Sequence, residues 1–283
     1  MKAWSLLAVD FQSADASQAF AEFVHNTGFG LIKNHPIDPA LIADVYAEWE
    51  TFFNDDRRFD YRFDPKTHDG YIPFELSETA KGHDQKDLKE FYHLYAHGRF
   101  PAMLSDKTHQ LREQLTQIAA TLLRWLDESL PESISKRLSL PLSEMIKESP
   151  RTMFRILRYP PLTGQEEPGA VRAAPHGDIN FLTVLPAASS KGLQAWGKDE
   201  KWHDIPCDSQ FLAVNVADML AECTQNYYPS TIHRVVNPEG EDTSKPRLSL
   251  PLFLHGRPEV KLSERHTVDS YWKERLAELG LAE

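Results

Sequence analysis

The sequence predicts an α+β protein in which a helical N-terminal region, residues 1–150, packs against a β-core of the sandwich, barrel or jelly-roll kind over residues 151–283. Two observations carry that expectation. Before residue 150 apolar residues recur at the three- and four-residue steps of amphipathic helices. Beyond it they gather in short β-branched and aromatic runs separated by Pro, Gly, Asp and Asn. With 283 residues and 41 % hydrophobic content, the chain is long and apolar enough to bury a full core.

In chain order, "ADASQAFAEFVHNTG" reads as a helix that stops at Gly28 and leads into the strand-like "FGLIKNHP". "DPALIADVYAEWETFF" then follows an acidic helix start. From Tyr61 to Pro101 the chain is rich in Asp, Gly, Pro and His, so long loops that could cover a site are expected there. In "DKTHQLREQLTQIAATLLRWLDESL" the residues Leu111, Leu115, Ile118, Leu122 and Trp125 form one buried stripe of a packing helix. "TMFRILRYP", "FLTVLPA", "GLQAW", "WHDIP", "FLAVNVADM", "STIHRVV" and "RLSLPLFLH" follow as strands, and "YWKERLAELG" closes the chain as a helix. There is no internal repeat and no low-complexity segment.

Composition excludes several roles. A net charge of −11 argues against nucleic acid as a partner, since such proteins present a clustered excess of Lys and Arg. No apolar run approaches the roughly 20 residues that span a bilayer, and "MKAWSLLAVD" lacks the features of a signal peptide. A cytoplasmic protein acting on a small molecule is expected. Cys207 and Cys223 lack metal or redox spacing and are expected in the core.

The chemistry concentrates in "APHGDINFLTVLPA". If the strand extended through them, His176 and Asp178 would project to the same side and could share one ion. His233, in the β-branched "STIHRVVNP", is far enough along for the chain to return across a closed sheet. Two imidazoles and one carboxylate on one face of an octahedral ion form the triad that suits non-haem Fe(II) and leaves positions open. His25, His68, His83, His97, His109 and His266 are read as surface or loop residues. In "KPRLSLPLF", Arg247 and Ser249 also share a strand face and together could hold a carboxylate. The HExxH spacing of many zinc hydrolases is absent.

With "LRYPPL", "GLQAW", "VNVADMLAECTQNYYPSTIHRV", "GFGLIKNHPID" and "DLKEFYH" around them, these motifs give a chain that resembles the isopenicillin N synthase-like family of Fe(II)- and 2-oxoglutarate-dependent oxygenases over nearly its whole length. The resemblance implies a double-stranded β-helix (jelly-roll) core with the helices outside it. It also implies Fe(II) held by His176, Asp178 and His233, and 2-oxoglutarate and O2 as co-substrates. The distal carboxylate of 2-oxoglutarate would be bound by Arg247 and Ser249 with Tyr159. The expected activity is C–H oxidation by hydroxylation, desaturation or ring closure, with release of succinate and CO2. Three positions depart from the family: Leu157 stands where plant-type members carry Asn, Ala217 replaces a usual Gly, and "EGEDTSKP" lengthens the link to Arg247. Because of Leu157, an isopenicillin N synthase-like Fe(II) oxidase that does not use 2-oxoglutarate is the alternative. A non-catalytic jelly-roll binding protein is a third reading, disfavoured because every ligand is present.

Strand parity extends the reading toward the substrate. Arg155 shares the face of Tyr159, whereas Arg158 points away. Arg155 is thus expected to meet an anionic substrate, the other reading being a buried pair with an Asp or Glu. Phe253, on the face of Arg247, would be an apolar wall.

Overall fold

A computed structural model describes residue 6 and residues 8–77 and 86–278; His83 and the last residues of the expected closing helix lie outside them. The N-terminal region supplies β1 (Ala8–Asp10), α1 (Ala16–Thr27), β2 (Phe29–Lys33), α2 (Pro39–Asn54), β3 (Gly70–Ile72), β4 (Glu90–Leu94) and α3 (Lys107–Glu128), then the short α4 (Glu132–Ser135) and α5 (Leu142–Met145). The remainder supplies β5 (Met153–Tyr159), β6 (Ala173–His176), β7 (Leu182–Pro186), β8 (Leu193–Trp196), β9 (Trp202–Asp204), β10 (Phe211–Val216), α6 (Asp218–Cys223), β11 (His233–Val235), β12 (Arg247–Ser249), β13 (Leu252–Leu254) and α7 (Val268–Glu278).

Two sheets make the jelly roll. The large one runs β1-β2-β10-β7-β13-β5-β4-β3, with β12 also paired to β5, and the small one runs β6-β11-β8-β9. Its strands near the site are antiparallel, with Arg247 opposite Tyr159 and His233 opposite His176. Both faces of the large sheet are covered, which is why its strands read as nearly continuous apolar runs. Phe154, Ile156, Val184, Leu212, Val214 and Leu252 share one core with the apolar stripes of α1, α2 and α3. On the opposite face Met153, Arg155, Leu157 and Tyr159 line a cavity between the sheets.

Local chemistry places the helices. Pro39 opens α2, and the Asp38 carboxylate accepts the Ala40 N–H, satisfying a donor the first turn leaves unpaired. Gly28 ends α1 at φ 67°, and a Cβ there would lie 2.2 Å from the Pro229 carbonyl oxygen, so only glycine serves.

Three expectations need correction. The stretch from Tyr61 to Pro101 is not only loop, because β3 and β4 extend the large sheet beyond β5; set among turn-forming residues they do not show in the sequence, and β4 forms by pairing with β5 and β3 by pairing with β4. Cys223 is buried as expected, but Cys207 is only partly so, its thiol reaching the Ala188 carbonyl at 3.1 Å. His266 lies in a loop as read, but is buried there and not at the surface.

Candidate active site and metal centre

The cavity between the sheets, about 830 Å³, is lined by His176, Asp178, His233, Arg247, Ser249, Tyr159, Arg155 and Phe253. Every residue singled out from sequence therefore reaches one space. The route for His176 and Asp178 differs from strand alternation: β6 ends at His176, and Asp178 lies in the connection to β7. Only His176 lies within the ladder, and Asp178 follows two residues on, past Gly177.

One ligand atom from each of His176, Asp178 and His233 lies within 4.8 Å of the others, so a single ion could bind all three. His233 Nε2 stands 3.8 Å from Asp178 Oδ1. Backbone carbonyls set both imidazoles. His176 Nδ1 lies 2.7 Å from the Ala174 oxygen and His233 Nδ1 lies 3.3 Å from that of Thr231. With Nδ1–H donating there, the Nε2 lone pairs are available to a metal.

Asp178 is held from the other sheet. Its Oδ2 accepts the Thr183 hydroxyl at 2.5 Å and the Asn215 amide at 2.8 Å, leaving Oδ1 toward His233. Burial works to raise its carboxyl, but the His233 and His176 imidazoles and these two hydrogen bonds outweigh it and hold it below the usual carboxylate range. Burial, helped by the neighbouring His233, depresses His176 to about 4. At neutral pH Asp178 is thus ionised and the His176 imidazole neutral, and two imidazoles with one carboxylate are a donor set that fits a divalent ion.

Further along the cavity, Arg247 and Ser249 project from β12 and Tyr159 from β5. Arg247 is 2 % exposed. Its Nε donates to the carbonyls of Ser190 and Lys191 at 3.0 and 3.2 Å, while its buried Nη1 has no hydrogen-bond partner. A buried guanidinium fixed at one edge and unsatisfied at the other fits a carboxylate.

At the opposite end Arg155 lies over Phe91 and Phe253, 4.5 and 5.4 Å from the ring centroids, and its Nε donates to His93 Nε2 at 2.9 Å. Arg158 points away and pairs with Glu90 at 2.6 Å, as parity predicts. Several lining residues were missed from sequence. His68 and His97, read as loop residues without a role, border the cavity, as do His93 and His255. Burial depresses His255 to about 4. Thr183 and Asn215 did carry a signal: a polar residue inside an apolar strand needs a buried partner.

A jelly roll whose sheets enclose a two-histidine, one-carboxylate cluster beside an unsatisfied buried arginine has the architecture of a mononuclear metal oxygenase. Residues 151–256 match the model of the 2OG-Fe(II) oxygenase superfamily, and residues 5–117 match that of the N-terminal region of non-haem dioxygenases in morphine synthesis. Jasmonate-induced oxygenase 3 of Arabidopsis thaliana is 30 % identical over 264 residues, 86 % of this chain and 68 % of that one. Isopenicillin N synthase of Streptomyces clavuligerus is 26 % identical over 279 residues, 87 % of this chain and 82 % of that one. A crystal structure from Shewanella oneidensis, of a protein assigned as an oxygenase, superposes with a TM-score of 0.88 at 46 % identity, covering 98 % of this chain and all of that one. The chain belongs to the 2OG-Fe(II) oxygenase superfamily. It is an Fe(II)- and 2-oxoglutarate-dependent dioxygenase, with O2 as the usual co-substrate.

Proposed function

We propose that this dioxygenase oxidises a C–H bond of a small anionic molecule, by hydroxylation, desaturation or ring closure, with release of succinate and CO2. Fe(II) would be ligated by His176, Asp178 and His233. Arg247 and Ser249, with Tyr159, would bind the distal carboxylate of 2-oxoglutarate. When bound, the iron supplies the oxidative decarboxylation of 2-oxoglutarate and the removal of hydrogen from the substrate.

The chain's own residues do the rest. The Ala174 and Thr231 carbonyls hold the imidazoles so that Nε2 faces the ion site, and Thr183 with Asn215 keeps Asp178 ionised and oriented. Arg247 fixes the co-substrate at its far end. Arg155, braced by Phe91, Phe253 and His93, offers a cation to the substrate, and Phe253 gives its body an apolar wall. The cavity of about 830 Å³ has room for both molecules.

The observation that carries this reading is the convergence of three ligand atoms within 4.8 Å in the same cavity as the unsatisfied Arg247 Nη1. The test is iron stoichiometry under anaerobic conditions together with oxygen-dependent turnover. His176→Ala, Asp178→Ala and His233→Ala should each lose both. A His233→Ala protein with full iron and full activity would overturn the assignment. Oxygen uptake with the true substrate but no succinate would favour an oxidase resembling isopenicillin N synthase.

A further inference from the structure

Arg172 is 1 % exposed and takes no part in the functional reading above. Among the described residues it has no ion-pair partner. Its backbone N–H donates to the Asn237 side-chain oxygen at 2.9 Å, and its Nη2 donates to the Lys245 carbonyl at 3.2 Å. Its buried Nε has no hydrogen-bond partner. A guanidinium taken out of water without a carboxylate costs several kcal/mol, so fully buried arginines are ordinarily paired.

The surroundings show where the missing anion belongs. Arg172 lies 5.9 Å from the centroid of the Tyr159 ring and Arg247 lies 5.2 Å from the same centroid. Two buried cations therefore share one aromatic ring at the co-substrate end of the cavity. Burial first and Arg247 second push Arg172 down to about 10, which still leaves it charged at neutral pH. Asp242, the carboxylate that offsets this, is surface-exposed and paired instead with Lys245 at 3.0 Å. Such a pair of like charges is strained when empty and relieved by an anion between or beside them.

We propose that Arg172 is a positioning residue for the co-substrate, a second buried cation which acts with Arg247 to select a 2-oxo acid with a distal carboxylate over one ending in a methyl group. The inference rests on the assignment of Arg247 to that carboxylate. Arg172 acts through the field at the carboxylate and by bracing Tyr159, whose ring carries both guanidinium groups. Ser249 and Arg247 give the bound carboxylate its hydrogen bonds. Arg172 adds attraction that a neutral chain end does not feel.

Titration calorimetry on Mn(II)-loaded protein tests this without turnover, with 2-oxoglutarate and 2-oxopentanoate as probes. One unit charge within several ångströms in a partly screened interior is worth about tenfold in affinity. Arg172→Gln should therefore weaken 2-oxoglutarate binding about tenfold and leave 2-oxopentanoate unchanged, and Arg172→Lys should restore much of the difference. In the ligand-free protein Arg172→Met should not lower the unfolding temperature, because it removes an unpaired buried charge, whereas the rise in that temperature on adding 2-oxoglutarate should shrink. Equal weakening of both acids, or of neither, while Arg247→Gln does lose its preference for 2-oxoglutarate, overturns the role of Arg172 alone. If Arg247→Gln also loses no selectivity, the co-substrate assignment falls and this inference falls with it.

Discussion

Replacing Asn215 by Leu and Thr183 by Val removes both hydrogen bonds to Asp178 Oδ2 without touching a metal ligand. The distances, 2.8 and 2.5 Å, mark both as charge-assisted, each worth about 1.5–3 kcal/mol in a buried site. Part of that is recovered when the freed carboxylate rotates, so the loss in metal affinity should be about 10–100-fold for the double variant, the range seen when groups orienting a ligand are removed. The variant should also be more sensitive to acid. Without these donors less opposes burial, the carboxyl rises, and a proton competes with the metal further up the pH scale. The assay is anaerobic Fe(II) or Mn(II) titration at about pH 7.5 and about pH 5.5, with circular dichroism to show the fold intact. Wild-type affinity at both values in a folded double variant would refute the reasoning.

Two further outcomes follow from the same geometry. Arg155→Met should raise the substrate KM strongly while substrate-independent 2-oxoglutarate turnover persists; Arg158→Met should instead lower stability, because Glu90 loses its partner at 2.6 Å, and equal small effects from both would remove Arg155 from the substrate site. His255 stays neutral in the folded protein down to about pH 4, because burial opposes its charge, while the unfolded chain takes up a proton below about pH 6.5. Stability should therefore fall as pH drops from about 6.5 to about 4, by about 3 kcal/mol from this residue. Urea unfolding of metal-free wild type and His255→Gln should diverge across that window, and a pH-independent difference between them would count against it.

How much could be read from the chain depended on how local the cause was. The stripe of α3, most strands beyond β5 and the facing of Arg155 against Arg158 follow from periodicity alone, since burial of one face imposes it; β6 was not seen as a strand of its own, and "RLSLPLFLH", read as one strand, is two, β12 and β13. The pairing of Arg247 with Ser249 was legible for the same reason. His176 and Asp178 were brought together rightly, but that β6 ends at His176, opposite His233 on β11, is a matter of partner strands and was not legible locally. β3 and β4 were hidden by the Asp, Gly, Pro and His residues around them. Arg172 gave no signal at all: an arginine four residues before a ligand is ordinary until its burial and its lack of a carboxylate are known.

Asp178 joins two parts of the molecule that otherwise meet mainly through apolar packing. Its backbone follows the small sheet, one carboxylate oxygen is bound to Thr183 on β7 and Asn215 on β10 of the large sheet, and the other faces His233 on β11. An ion seated there would rivet the two layers together. Loading the metal and resisting separation of the layers then become a single equilibrium: the free energy that binds the ion appears again as mechanical resistance of the fold, and a chelator would soften that seam.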